Sequence, residues 1–203
     1  MKTWTLLLSS ALAIALVGCA SKAEEPAAPE GETTSSVNTE MKVASMTAAQ
    51  APAFTLKTAK GETHSLKSLT ATNDLVVLYF IGHTCPTNSA AIKYIHQIAN
   101  QKHDKVAFVG IINTDKAGFE KWNAKNKAQY PVLLDADLKT IRAYKAERSP
   151  WFIMVNKSGE IVQTDKGYSE GSLREMNAKL AKVEGHAAKA LDLKGASANM
   201  TYG

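Results

Sequence analysis

Two uninterrupted apolar runs, residues 75–80 and 106–112, constrain the fold of this chain more than any other feature. A strand with no polar face must be covered on both sides, which is typical of the central strands of a parallel or mixed sheet. Apolar residues at helical spacing, Ile92, Ile95 and Ile98, follow the first run. Buried strands that alternate with helices predict an α/β fold, with a central sheet flanked by helices on both faces.

The other elements follow from turn residues and helix caps. A Lys60-Gly61 turn separates two short strands, and Gly159 closes the turn of a hairpin. The sequence Ser172-Leu173-Arg174-Glu175 matches a capping box and predicts the start of the last helix. The predicted short strands cover 53–56, 64–66 and 131–134, the other helices 87–103, 116–127 and 138–144, and the hairpin 151–155 with 161–163.

Composition divides the chain into four parts. Residues 20–50 are rich in Ala, Glu, Ser, Thr and Pro without apolar periodicity, which predicts a disordered tether. Residues 51–183 carry the periodic patterns, and about 130 residues are enough for one core and one domain. Residues 184–203 lose periodicity and are predicted to form a loose C-terminal tail. The fourth part is the N-terminal segment, residues 1–19.

The N-terminal segment has the pattern of a secretion signal. Lys2 precedes an apolar stretch at residues 6–17, which is shorter than a bilayer-spanning helix. The stretch ends in Leu16-Val17-Gly18-Cys19, which resembles a bacterial lipobox, so residues 1–19 are interpreted as a lipoprotein signal peptide with Cys19 as the lipidated residue. The alternative is an ordinary signal peptide. We therefore expect an extracytoplasmic protein, lipid-anchored to the membrane and, if the cell has one, to the outer membrane.

The charge pattern argues against nucleic-acid binding. The chain has a formal net charge of +5, but its lysines are scattered and no aromatic residues are interleaved with them. Such a pattern is typical of a solvated surface. No cofactor motif is present in the sequence, and none is expected.

Cys85 stands where a buried strand gives way to a helix. Pro86 suits the first helical position, which places Cys85 at or beside the N-cap among unpaired backbone N–H groups and the positive end of the helix dipole. Both features favour the thiolate, the nucleophilic form of cysteine. His83 is a candidate for a nearby positive charge or proton acceptor. The structural alternatives are a buried, inert thiol and a solvated loop histidine.

Several motifs resemble the redoxin group of thioredoxin-like proteins, which includes membrane-tethered thiol–disulfide oxidoreductases and the alkyl hydroperoxide reductase/thiol-specific antioxidant proteins. The similarity runs from residue 51 to residue 183, through the opening at 51–56, the segment 130–135 and the strand pair at 152–161. It implies a thioredoxin-like fold with a mixed sheet, a role in cell redox homeostasis, and a cis bond at Ser149-Pro150 that faces Cys85.

The chain departs from this pattern at the active cysteine. Asn88 occupies the position of the second cysteine in a paired CxxC site, and Thr84 replaces the usual tryptophan. Tyr79 and Ala91 stand where relatives often carry an acidic proton shuttle. The usual dithiol cycle is therefore not available within this site.

Peroxidase chemistry and metal binding fit the sequence less well than thiol–disulfide exchange does. Relatives of the peroxiredoxin branch need a threonine and an arginine where this chain has Gly82 and Pro150, and Arg148 is shifted. A copper site at His83-x-Cys85 lacks the second cysteine of thioredoxin-like copper chaperones. A peroxiredoxin-like antioxidant stays an alternative, and no metal is expected.

The preferred hypothesis is thiol–disulfide exchange through one thiol. Cys85 attacks a protein or small-molecule disulfide, and an external thiol reductant releases the product. Asn88 is expected to donate a hydrogen bond to the thiolate, and Pro150 to shape the docking groove. The alternative is a non-catalytic binding module on the same fold. A thiolate titration distinguishes them, because a thiolate formed near neutral pH favours catalysis and an unreactive thiol favours binding only.

Overall fold

The computed structural model describes residues 49–203. The predicted lipidation site at Cys19 and nearly all of the predicted tether lie outside these residues. No helix in the described part is long and apolar enough to cross a membrane.

Seven strands and five helices make up the described part of the chain. Pro86 begins the second helix, and Asp115 caps the third through its side chain, as their positions in the sequence favour. In chain order the elements are β1 Thr55–Thr58, β2 Thr63–Ser65, α1 Leu66–Thr72, β3 Leu75–Ile81, α2 Pro86–Ala99, β4 Val106–Ile112, α3 Lys116–Asn126, β5 Val132–Leu134, α4 Lys139–Ala143, β6 Trp151–Asn156, β7 Ile161–Lys166 and α5 Glu170–Glu184.

The strands form one mixed sheet in the order β2-β1-β5-β4-β3-β6-β7. Strands β3, β4 and β5 run parallel, whereas β6 is antiparallel to β3 and β7 to β6. Every residue of the central strand β3 is buried. The predicted α/β architecture with a mixed central sheet is confirmed.

Side chains of β3 alternate between two cores, one on each face of the sheet. Val77 and Tyr79 join the core formed with α2 and α5, whereas Val76 and Phe80 join the core on the side of α1. Burying a large apolar side chain contributes roughly 1.5–3 kcal/mol, so the continuous apolar run stabilises both layers at once. This is the physical reason why the run has no polar positions.

Two helix starts differ from the sequence prediction. Residue Leu66, predicted to end a strand, begins α1, because Ser65 and Ser68 form a reciprocal capping box. The last helix begins at Glu170 rather than after Ser172, because Ser169 is its N-cap and Ser172 closes the box. In both boxes a serine occupies the third helical position, where the usual pattern has Glu or Gln. Its hydroxyl accepts the hydrogen bond from the backbone N–H of the N-cap residue.

The predicted loose tail is wrong for residues 185–203, which pack on α2 and α5. Leu193 is buried in the core on that face. The side chains of Asn177, Tyr94 and Gln97 hydrogen-bond to backbone groups of this segment at 2.7, 3.0 and 2.7 Å. The segment has no periodicity because its backbone is satisfied by side chains of other elements rather than by a helix or strand of its own.

Candidate active site around Cys85

Cys85 is the N-cap of α2, with an extended backbone (φ −72°, ψ 120°), and Pro86 is at the first helical position. It is a free cysteine, partly exposed. The backbone N–H of Asn88 donates to Sγ at 3.4 Å. Sulfur therefore satisfies one of the N–H groups that a helix start leaves unpaired, and this contact strengthens when the sulfur is negatively charged.

The Ser149–Pro150 peptide bond is cis and lies beside the thiol, where the sequence analysis expects it. The thiol donates to the carbonyl oxygen of Ser149 at a distance of 3.4 Å. Cys85 on the loop after β3 and Ser149 just before β6 are 64 positions apart in the chain, and the β3–β6 pairing brings them together.

Gly82 lets these two loops approach each other. A Cβ atom at this position would lie 2.9 Å from the Cβ of Cys85 and 3.1 Å from the Cβ of Ser149. The N–H of Gly82 also donates to Ser149 Oγ at 2.8 Å. A threonine at this position would have to displace the loops, so the glycine suits the thiol-to-carbonyl contact.

The side chain of Asn88 points into the protein interior and is fully buried. Its Oδ1 accepts hydrogen bonds from the hydroxyls of Tyr79 at 2.5 Å and Ser149 at 3.1 Å. The amide nitrogen Nδ2 has no hydrogen-bond partner among the described residues. The expectation that the Asn88 side chain donates a hydrogen bond to the thiolate is therefore wrong. The backbone N–H of Asn88 makes this hydrogen bond, because the third helical position directs the side chain towards the core.

Tyr79 lies beneath the site as a permanent donor. Burial, together with the nearby Tyr130 phenol, raises the pKa of Tyr79 well above its ordinary value of 10. The phenol therefore keeps its proton and donates a hydrogen bond to Asn88 throughout the neutral pH range. A carboxylate at this position can exchange a proton near neutral pH, and this tyrosine cannot.

His83 is bound to Asn113 rather than to the sulfur. Its Nδ1 lies 2.8 Å from Asn113 Oδ1, and its backbone N–H donates to the same oxygen at 2.9 Å. Among the described residues no hydrogen bond joins the imidazole to Cys85. Asn113 was not predicted from the sequence, although a polar residue directly after a buried parallel strand is a signal for the functional edge of an α/β sheet.

A cavity of about 330 Å³ opens beside the sulfur, within the size range of small-molecule sites. Its lining combines apolar side chains of β3 and α4 with Arg148 and Ser149. The lining residues include Phe80, Thr84, Cys85, Ile141, Arg148 and Gly203. Gly203 comes from the segment that the sequence analysis left without structure, so no local signal predicted it.

The described residues contain no group of three or more His, Cys, Asp and Glu side chains that could hold a metal ion. The pair His83 and Cys85 therefore gains no further ligand of these types within that part of the chain.

Comparison of the sequence with known proteins identified a matching family profile and a relative. The sequence profile of the family described as Redoxin matches residues 46–181. The thiol-disulfide oxidoreductase ResA of Halalkalibacterium halodurans is 26% identical over 137 residues, which is 66% of this chain and 77% of the relative.

Solved structures share the fold at lower sequence identity. A secreted disulfide oxidoreductase of Mycobacterium tuberculosis superposes with a TM-score of 0.53 at 24% identity, covering 61% of this chain and 92% of that protein. The exposed lipoprotein thioredoxin Etrx1 of Streptococcus pneumoniae gives a TM-score of 0.51 at 24% identity, covering 61% and 99%. These structures show that the fold is thioredoxin-like.

Proposed function

Because this chain belongs to the redoxin family, we propose that it is a thiol–disulfide oxidoreductase that works through Cys85 alone. The observation that carries this proposal is a partly exposed thiol at a helix N-cap, next to the Ser149 carbonyl, with a buried asparagine in place of the second cysteine. The names of the relatives support the same reaction class.

The reaction needs one protein sulfur and one external thiol. The Cys85 thiolate, stabilised by the Asn88 N–H and the helix dipole, attacks one sulfur of a protein or small-molecule disulfide. The substrate S–S bond breaks, and its second sulfur leaves as a thiolate. An external thiolate then attacks the substrate sulfur of the mixed disulfide, which releases a new disulfide and regenerates Cys85. The protein is neither oxidised nor reduced over the cycle.

The geometry favours exchange over the two alternatives. A binding-only thiol has no need of exposure or of an N–H donor aimed at the sulfur, and Cys85 has both. A peroxidase needs donors that polarise the O–O bond, and the candidate Arg148 instead packs its guanidinium over the Tyr202 ring, 4.7 Å from the ring centroid.

Mass spectrometry of the mixed disulfide tests the proposal. Wild-type protein given a small disulfide at about pH 7–8 should accumulate a one-to-one adduct on Cys85. This pH range approaches the ordinary pKa of a thiol. Turnover should begin only when a thiol such as glutathione is added, because residues 49–203 contain no second cysteine that could resolve the adduct and Cys19 is expected to be lipidated. Cys85→Ser, which keeps a good N-cap, is the control. A wild-type protein that forms no adduct contradicts the proposal and favours the binding-only alternative.

We also propose that Cys19 is the lipid attachment site and that residues 20–50 tether the redoxin domain to the periplasmic side of a membrane, the outer membrane if the cell has one. The lipobox-like sequence supports this assignment, and the similarity to a lipoprotein thioredoxin agrees with it. Cys19→Ser should move the protein from the membrane fraction to the soluble fraction and remove the acyl mass. Wild-type protein without a lipid at its N-terminus would refute the assignment.

A further inference from the structure

Residues 200–203 (the strap) run across the edge of the active site that carries Ser149. Thr201 and Tyr168 form an antiparallel bridge with backbone hydrogen bonds of 2.9 and 2.8 Å. Gly203 and Ser149 exchange two more, from Ser149 N to Gly203 O at 3.1 Å and from Gly203 N to Ser149 O at 2.9 Å. The strap is therefore attached by its backbone in the way that an added strand would be.

The strap uses the groups that a docking polypeptide would need. An extended peptide binds through free backbone N–H and C=O groups, and at Ser149, in the loop before β6, both already pair with Gly203. The strap also lies next to the sulfur, because a Cβ atom built on Gly203 would be 2.8 Å from Cys85 Sγ and 2.9 Å from Thr87 Oγ1. A polypeptide cannot occupy this edge while the strap is in place.

A small molecule faces no such obstacle. The cavity of about 330 Å³ beside the sulfur lies between the strap and the side chains of Phe80 and Ile141. Cys85 is partly exposed with the strap in place. A disulfide without an extended backbone can therefore reach Sγ through the cavity without displacing Gly203.

We propose that the strap is an intramolecular occupant of the polypeptide-docking edge and directs Cys85 towards small-molecule disulfides. The inference rests on the proposed exchange function. In either substrate class the Cys85 thiolate bonds to one sulfur, the substrate S–S bond breaks, and the other sulfur leaves as a thiolate. A polypeptide disulfide reacts only in molecules whose strap has left Ser149, so its observed rate is the rate of the open form multiplied by the fraction of open molecules.

Two mixed disulfides with the same leaving group test this selectivity. One joins nitrothiobenzoate to glutathione, and the other joins it to the cysteine of a short unstructured peptide. Release of the coloured thiolate, followed by stopped-flow absorbance, gives a rate constant for each probe with the full chain. The ratio of the peptide rate to the glutathione rate measures access to the docking edge and cancels differences in thiolate content.

Three variants separate the strap from general effects. Removal of residues 200–203 should raise the ratio by about tenfold, because the backbone hydrogen bonds to Ser149 and Tyr168 hold the closed state. Gly203→Pro, which deletes the N–H that bonds to Ser149 O, should raise it by a smaller factor, because Ser149 N can still donate to Gly203 O. Met200→Ala, whose side chain is exposed, should leave it unchanged. Equal ratios in all forms overturn the strap proposal and leave the exchange function intact. No thiolate release from any form overturns both.

A cross-linking test checks the position of the strap without any substrate. Gly203→Cys places a Cβ about 2.8 Å from Cys85 Sγ, so mild oxidation should form an intramolecular disulfide and consume both thiols. Val162→Cys is the control, because its neighbour Ile161 pairs with Val155 at the opposite end of the sheet. Absence of the cross-link in Gly203→Cys under conditions that oxidise a small dithiol would overturn the strap proposal.

Discussion

Asn88 holds the position at which a dithiol site carries its second sulfur, and the structure gives it a different task. Its Oδ1 accepts the hydroxyls of Tyr79 and Ser149, so three elements meet at one buried oxygen: β3, α2 and the loop before β6. Leaving Nδ2 unpaired in the interior costs about 1–3 kcal/mol. The side chain of Asn88 therefore supports the site from beneath, and only its backbone N–H contacts the sulfur.

The variant Asn88→Cys should convert this site into a self-resolving dithiol. Residues 85 and 88 are neighbours on the first helical turn, so the new thiol can attack a mixed disulfide on Cys85. We expect turnover with a recycling reductant, measured as disulfide reduction, to exceed that of the wild type. Ala90→Cys, exposed on another face of α2, is the matched control. Turnover of Asn88→Cys no faster than that control would contradict the expectation.

The same change should lower stability, because it leaves the buried Tyr79 hydroxyl without its acceptor. We expect a loss of about 1–3 kcal/mol in the free energy of unfolding by urea denaturation under reducing conditions. Adding Tyr79→Phe should recover part of the loss, since the orphaned hydroxyl is removed. A double variant less stable than Asn88→Cys alone would show that the hydroxyl has another partner.

At the scale of elements, Glu184 joins the end of α5 to the start of β4. Its carboxylate accepts the backbone N–H groups of Asp104, Lys105 and Val106 at distances of 3.0–3.2 Å, and the side chain is only 4% exposed. Burial acts to raise the pKa of Glu184, but these N–H donors and the nearby His103 bring it below its ordinary value of 4.5. The ionised form is therefore the one that the fold stabilises.

A lowered pKa gives a stabilisation that is present above about pH 4.5 and is lost as the pH falls through the folded-state value. Glu184→Gln should therefore cost about 1–3 kcal/mol of unfolding free energy near pH 7, because fewer N–H groups find an acceptor. The variant should also lose less stability than the wild type on acidification. Urea denaturation at several pH values measures both effects.

Glu120→Gln is the control for this experiment, because the side chain of Glu120 is 60% exposed and its ion pair with Lys116 spans 3.9 Å. Such surface pairs contribute little, so its stability should change by less than about 0.5 kcal/mol. An equal effect of the two substitutions would assign the loss to net charge rather than to the α5–β4 contact.

For the whole molecule, aromatic side chains in the core link stability to alkaline pH. The rings of Tyr79, Phe108 and Tyr130 lie within 5.2–6.5 Å of one another by ring centroids. Burial raises the pKa of both Tyr79 and Tyr130 well above 10. These phenols keep their protons in the folded state at a pH where the unfolded chain releases them.

Since the folded-state pKa values are raised, the stabilisation is complete below about pH 10 and is lost above it. Each tyrosine should steepen the fall in unfolding free energy by up to about 1.4 kcal/mol per pH unit. Tyr130→Phe should remove one such contribution, and it should not destabilise the protein at pH 7, because the Tyr130 hydroxyl has no partner among the described residues. Denaturation curves from about pH 9 to pH 12 measure the slope.

The half-exposed Tyr202 provides the comparison through Tyr202→Phe. The slope of this variant should match that of the wild type, because the burial that acts on Tyr79 and Tyr130 does not apply to this exposed side chain. A Tyr130→Phe variant with the wild-type slope would mean that this phenol reaches solvent in the folded state.

The two buried strands and the position of the thiol can be read from the sequence alone. The runs in β3 and β4 are apolar at nearly every position, and burial on both faces is the only setting that suits them. Cys85-Pro86 at the start of α2 is also a local signal, because a proline at the first helical position and a cap before it depend on neighbours in the chain. The position of Ser149-Pro150 was available from the family resemblance.

The surroundings of the sulfur and the junction of α5 with β4 depend instead on contacts between distant parts of the chain. The contacts of Asn88 with Ser149, of Glu184 with Lys105 and of Gly203 with Ser149 join residues that are far apart in the chain. Each is made by polar or backbone groups, which leave no periodic pattern because their partners come from the fold rather than from neighbouring residues. For that reason residues 185–203 had no signal of order in the sequence, although their last residue lies against the thiol.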